Sequence, residues 1–125
     1  MVILIERDRA EAAYEQIAAQ IRSAIADGRL AAGSVLPGVR GLASDLGVNF
    51  NTVARAYRVL EDQGFVRIRE RSGVEVVTPA RQAPPEARGA FERELWELLV
   101  RMRQAGIPPR DLRRVTDDCL RRLEG

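Results

Sequence analysis

The stretch VRGLASDLGVNFNTVARAYRVLEDQG, residues 39–64, decides the fold. It carries two runs of apolar residues at spacings of three and four, broken at Gly47. Val39, Leu42, Ala43 and Leu46 fall on one face of a short helix, and Val53, Ala56, Tyr57 and Leu60 on one face of a second running to about Gln63. Asn49 suits the start of the second helix, because its side-chain oxygen can accept from a free first-turn N–H. Gly64 closes that helix. Two helices joined by about three residues that include a glycine have helix-turn-helix spacing. The second helix of such a pair lies in the major groove of DNA and offers its N-terminal residues to base edges. Those residues are Asn49, Phe50, Asn51 and Thr52, with Arg55 a turn later. Amides and hydroxyls read bases or phosphates, and a helix N-terminus offers backbone N–H groups to phosphate oxygens.

On the N-terminal side, Tyr14, Ile17, Ile21 and Ile25 predict a helix from about Ala10 to Asp27, stopped by Gly28. Val2–Ile5 suggests a short strand, and GRLAAGSVLPG, residues 28–38, reads as a loop. On the other side, FVRIRERSGVEVV, residues 65–77, predicts a hairpin. Phe65, Val66 and Ile68 form one strand, Val74, Val76 and Val77 the other, with a turn at Ser72-Gly73. Arg67, Arg69 and Arg71 recur at period two and so share a strand face. Alternate arginines alone describe any solvated face. Following three helices and a tight turn, they describe a cationic wing beside a reading helix.

Pro79, Pro84 and Pro85 mark a linker over residues 79–88. Beyond it, Phe91, Leu95, Leu98, Leu99 and Met102 share a face of a helix from about Glu86 to Gln104. Gly106 ends it, Pro108-Pro109 begin the next, and Leu112, Val115, Cys119, Leu120 and Leu123 make that helix's face. Two short helices bury little by themselves. They need either the first domain or a second copy of the chain, and homodimerisation through these C-terminal helices is the expected arrangement. Trp96, Leu99 and Met102 either line a small-molecule effector pocket at the seam or pack as ordinary core. Cys119 is expected to be a buried thiol. The fold class is α+β, mainly α. A winged helix-turn-helix domain over 1–78 is followed by a linker over 79–88 and a two-helix dimerisation tail over 89–125.

Composition excludes more than it selects. The 125 residues are 46% hydrophobic, enough for a core, and the net charge of +2 confines any basic patch to a local surface. All 20 basic residues are arginine, a uniformity that fits coding bias better than a site. A single cysteine rules out an internal disulfide and a cysteine-rich zinc site. The lack of histidine removes the usual general base and the commonest metal ligand. Asp117-Asp118 fits a solvated helix face better than a catalytic pair. The expectation is a non-enzyme with no cofactor. MVILIERDR at the start has neither the basic flank nor the length of a signal peptide or membrane span, so a cytoplasmic protein with no membrane partner is expected.

From Tyr14 to about Val77 the sequence resembles the GntR family of bacterial regulators. The resemblance rests on YEQI at 14–17, IADGRLAAGSVLPGVRGLASDLGV at 25–48 and NTVARAYRVLEDQGFV at 51–66. The short helical tail resembles the YtrA-type subgroup. The resemblance implies a homodimer that binds operator DNA and usually represses transcription. It implies that Arg40 meets a phosphate or a guanine, that Thr52 meets a phosphate near the helix start, and that Gly73 is a wing-tip glycine that lets the backbone approach the minor groove. It makes Arg55 a DNA contact, with pairing to Glu61 or Asp62 as the alternative. Arg69 and Arg71 would grip double-stranded DNA from the wing. Two residues depart from the family pattern. Gly38 replaces a serine before the second helix, at a cost of a few tenths of a kcal/mol. Asn49-Phe50 stands where the family has Ser-Arg. Phe50 then either meets a thymine methyl or packs on the protein surface, leaving specificity to Asn49 and Asn51. The rival to DNA binding is a winged helix used for protein assembly, and the two are distinguished by whether the arginines converge on one open surface.

Overall fold

The computed structural model describes every residue except 1, 10, 70–72, 81 and 125. The expected wing residues Arg71 and Ser72, and the expected helix start at Ala10, therefore lie outside the described residues. The chain divides into two compact units, Met1–Pro79 and Ala80–Gly125.

The first unit contains α1 (Ala13–Ala26), β1 (Val35–Leu36), α2 (Val39–Leu46), α3 (Phe50–Asp62), β2 (Val66–Arg69) and β3 (Gly73–Val76). The strands form one antiparallel sheet in the order β1-β3-β2. Val66 pairs with Val76 and Ile68 with Val74, so the alternation of the hairpin sends these four inward. They meet Ile17 and Ile21 of α1, Leu42 of α2, and Val53, Ala56, Tyr57 and Leu60 of α3 in one core. Gly47 caps α2 at φ +66°, a conformation that costs glycine nothing and turns the chain into α3.

Two N-terminal expectations need correction. Val2–Ile5 is not a strand. Its backbone is held by glutamine side chains of α1, whose amides supply the donor and acceptor that a neighbouring strand would. Leu4 N–H donates to Gln20 Oε1 at 2.9 Å, and Gln20 Nε2 donates back to Leu4 O at 2.6 Å. Gln16 brackets Glu6 in the same way at 2.7 and 2.9 Å. The stretch expected to be all loop contains β1, which is too short to show a period. Gly33 N–H donates to Val76 O at 2.8 Å and Val76 N–H to Ser34 O at 2.9 Å, and these bonds secure it to β3.

Tyr57 ties α3 to the entry of α2, its fully buried hydroxyl donating to Pro37 O at 2.7 Å. Burial pushes its pKa up to about 12 from 10.0. A phenol whose folded pKa is raised stabilises the fold fully below pH 10. That stability is lost as pH rises through 10 toward about 12, and amounts to about 2–3 kcal/mol. Denaturant midpoints should therefore fall over this window, and Tyr57→Phe should abolish the phenol's share of the fall. The same variant should cost about 1 kcal/mol at neutral pH by leaving Pro37 O unpaired.

The second unit consists of α4 (Pro85–Gln104) and α5 (Pro109–Leu123). Pro85 opens α4 at a position that needs no N–H, so residues 85–88, expected as linker, are helical. Neither helix buries any residue within the single chain. Phe91, Leu95, Trp96, Leu98, Leu120 and Leu123 are all exposed, Trp96 at 67%. Cys119 is exposed too, contrary to the expected buried thiol, because α5 buries none of its residues within this unit. Among the described residues, no helix is long and apolar enough to cross a membrane.

Candidate nucleic-acid interface

The start of α3 is built by Asn49. Its Oδ1 accepts from Asn51 N–H at 2.7 Å, and its backbone carbonyl accepts from Thr52 N–H at 3.0 Å. The cap consumes the acceptor of Asn49 and leaves its amide NH2 as donor. Asn51, Arg55 and Arg58 then follow at four and three, so helical spacing lines them up on the face opposite Val53, Ala56 and Leu60. All three are exposed, while Thr52 is half-buried. Arg58, which the sequence sets off the buried face but not among the expected DNA contacts, joins the row because the spacing that selects Arg55 selects it too. Neither α2 nor α3 has an acidic residue in its first turn, so both positive helix ends are open to an anion.

Arg55 does not pair with Glu61 or Asp62. Its guanidinium lies over the Tyr14 ring, 3.9 Å from the centre, and Glu61 Oε2 instead accepts from Ile68 N–H at 2.8 Å. Tyr14 in turn donates to Glu15 at 3.0 Å, and chiefly this bond holds its phenol pKa up. A guanidinium held by its flat face keeps its N–H rim for other partners.

Arg40, exposed in the first turn of α2, lies over the Phe50 ring at 5.4 Å. Gly38, as expected, starts α2 with no side-chain cap. Arg40, Phe50, Arg69 and Gly73 line one hollow of about 440 Å³, with Val39 and Ile68 in its wall. The structure thus brings together four of the expected site residues from four elements, while Asn51 and Arg55 sit on the outward face of α3. Arg69 also pairs with Glu75 at 3.2 Å across the hairpin, which offsets part of its charge. Arg67 is exposed, and its side chain has no hydrogen bond or ion pair among the described residues. Sequence reading also missed Arg7, which donates to Gly47 O at 3.3 Å and brings a cation to the turn itself. Gly73 has φ +90°, and a Cβ there would lie 2.7 Å from Leu36 O. Its need for glycine is set inside the fold, by the approach of β1.

Among the described residues no acidic, cysteine or histidine cluster has metal-site geometry. Three helices, a glycine turn and a cationic hairpin packed on one core make a winged helix-turn-helix domain. Residues 13–76 match the GntR family of bacterial regulatory proteins, and the chain belongs to this family of DNA-binding transcription regulators. It is 32% identical over 95 residues to the transcriptional repressor YtrA of Bacillus subtilis, covering 75% of this chain and 73% of that one. A solved YtrA from Sulfolobus acidocaldarius, a GntR-family transcription factor, is 34% identical with a TM-score of 0.64, over 80% of this chain and 99% of that one. A transcriptional antiterminator from Listeria monocytogenes, 24% identical, shares the fold at a TM-score of 0.83 over 100% of this chain and 94% of its own. The matched stretch spans 15% of one other curated relative and 50% of another.

Proposed function

We propose that this chain is a cytoplasmic, homodimeric transcription repressor that binds a palindromic operator. Residues 1–78 would read one half-site each, and residues 89–125 would join the two copies. The observation that carries the reading is the exposed row Asn51, Arg55 and Arg58 on α3, with Arg40 and Arg69 in the hollow beside its first residue, Phe50. Cations with free N–H rims beside a helix N-terminus suit phosphates and guanine edges. No catalytic step or cofactor belongs to this reading. The uncovered apolar faces of α4 and α5 favour a second copy as their cover. A hollow lined by Trp96, Leu99, Val100, Arg103, Gln104 and Leu112 is the place where a small-molecule effector would be sought.

Selection of bound sequences from a random duplex pool tests the proposal. Recovery of inverted repeats spaced by about one helical turn is expected. Recovery of no duplex would leave a winged helix used for protein assembly. On the selected site, Arg40→Ala should weaken binding: loss of preference at one guanine marks a base contact, and a salt slope flattened by about one unit marks a phosphate contact. An unchanged slope would mean that Arg40 never meets a phosphate.

A further inference from the structure

Phe50 is 45% exposed at the first position of α3, in the segment that would enter the groove. A phenyl ring has no donor for a phosphate or for a base acceptor. The one apolar group that the base edges of the major groove present is the C5-methyl of thymine. Beside the ring stands a cation already oriented. Arg40 lies over Phe50 at 5.4 Å, and its side chain has no hydrogen bond or ion pair among the described residues. A cation over a ring spends no hydrogen bond on it, so the N–H groups of the guanidinium are left to bridge O6 and N7 of guanine. Val39 and Ile68 line the same hollow, so apolar side chains and the cations Arg40 and Arg69 share it.

We infer that Phe50 and Arg40 act as one composite reader, the ring seating a thymine methyl while the guanidinium it steadies takes a neighbouring guanine. The inference rests on the DNA-binding reading and goes beyond it by naming the base step recognised. Phe50 is then a specificity-determining residue, and the departure from arginine at this position moves the preferred site toward thymine beside guanine.

The test uses the full chain and the best duplex recovered from the random pool. Each thymine is replaced in turn by deoxyuridine, which removes only the methyl. One thymine per half-site, next to a guanine, should show about fourfold weaker binding on replacement, the effect of one buried methyl. Cytosine at that position should bind more weakly than 5-methylcytosine. Phe50→Ala, at an exposed position outside the core, should bind the thymine and deoxyuridine duplexes equally. Normal duplex binding with no deoxyuridine-sensitive thymine beside guanine would overturn the inference and leave DNA binding intact. Sensitivity that persists undiminished in Phe50→Ala would also overturn it, since another group would be reading the methyl. Recovery of no duplex at all would remove this inference together with the reading beneath it.

Discussion

Removal of residues 84–125 is expected to leave a folded monomer that binds the operator at least about a hundredfold more weakly than the full chain. The fold should survive because Ile17, Ile21, Val53, Tyr57, Leu60, Val74 and Val76 complete their core within the first unit. The monomer should result because α4 and α5 bury nothing of their own and carry the exposed apolar side chains Phe91, Leu95, Trp96 and Leu98. In a dimer, the second half-site is engaged at a high effective concentration, and linkage of this kind raises affinity by about 10²–10⁴. Light scattering and a mobility-shift titration on the same samples check both parts. The same mass per particle before and after truncation would remove the dimer from the proposal, whatever the binding result.

Gly73→Ala is expected to destabilise the first unit by about 2–4 kcal/mol. Two costs coincide there. The backbone has φ +90°, where a side chain is strained, and the added Cβ would meet Leu36 O at 2.7 Å and Val35 Cγ1 at 3.2 Å. Gly33 and Gly64 both have φ +85° but open space where a Cβ would go, so alanine there should cost only about 1–2 kcal/mol. The difference between these variants in denaturant melts isolates the collision with β1. Equal losses at Gly73 and Gly64 would show that β1 yields without cost. Gly73→Ala should also weaken duplex binding by shifting Arg69, which pairs with Gly73 in the hairpin register.

The sequence by itself determined what depends on neighbours a few residues apart. The helical faces of α2 and α3, the Asn49 cap, the Gly47 turn and the alternation in β2 and β3 each follow from a period or a terminal hydrogen bond. The expected buried face of α3 (Val53, Ala56, Tyr57 and Leu60) is its observed buried set. Only the tertiary structure decided which side chains meet across elements. Arg55 stacks on Tyr14, 41 residues away, although Glu61 is nearer in the chain, because α1 packs against α3 and Glu61 is held by β2. Likewise β1, the glutamine-held N-terminus, the placement of Arg40 over Phe50 and the crowding of Gly73 by Leu36 have no period to announce them. Such contacts come into being when chain closure sets distant segments side by side, and local spacing carries no record of them.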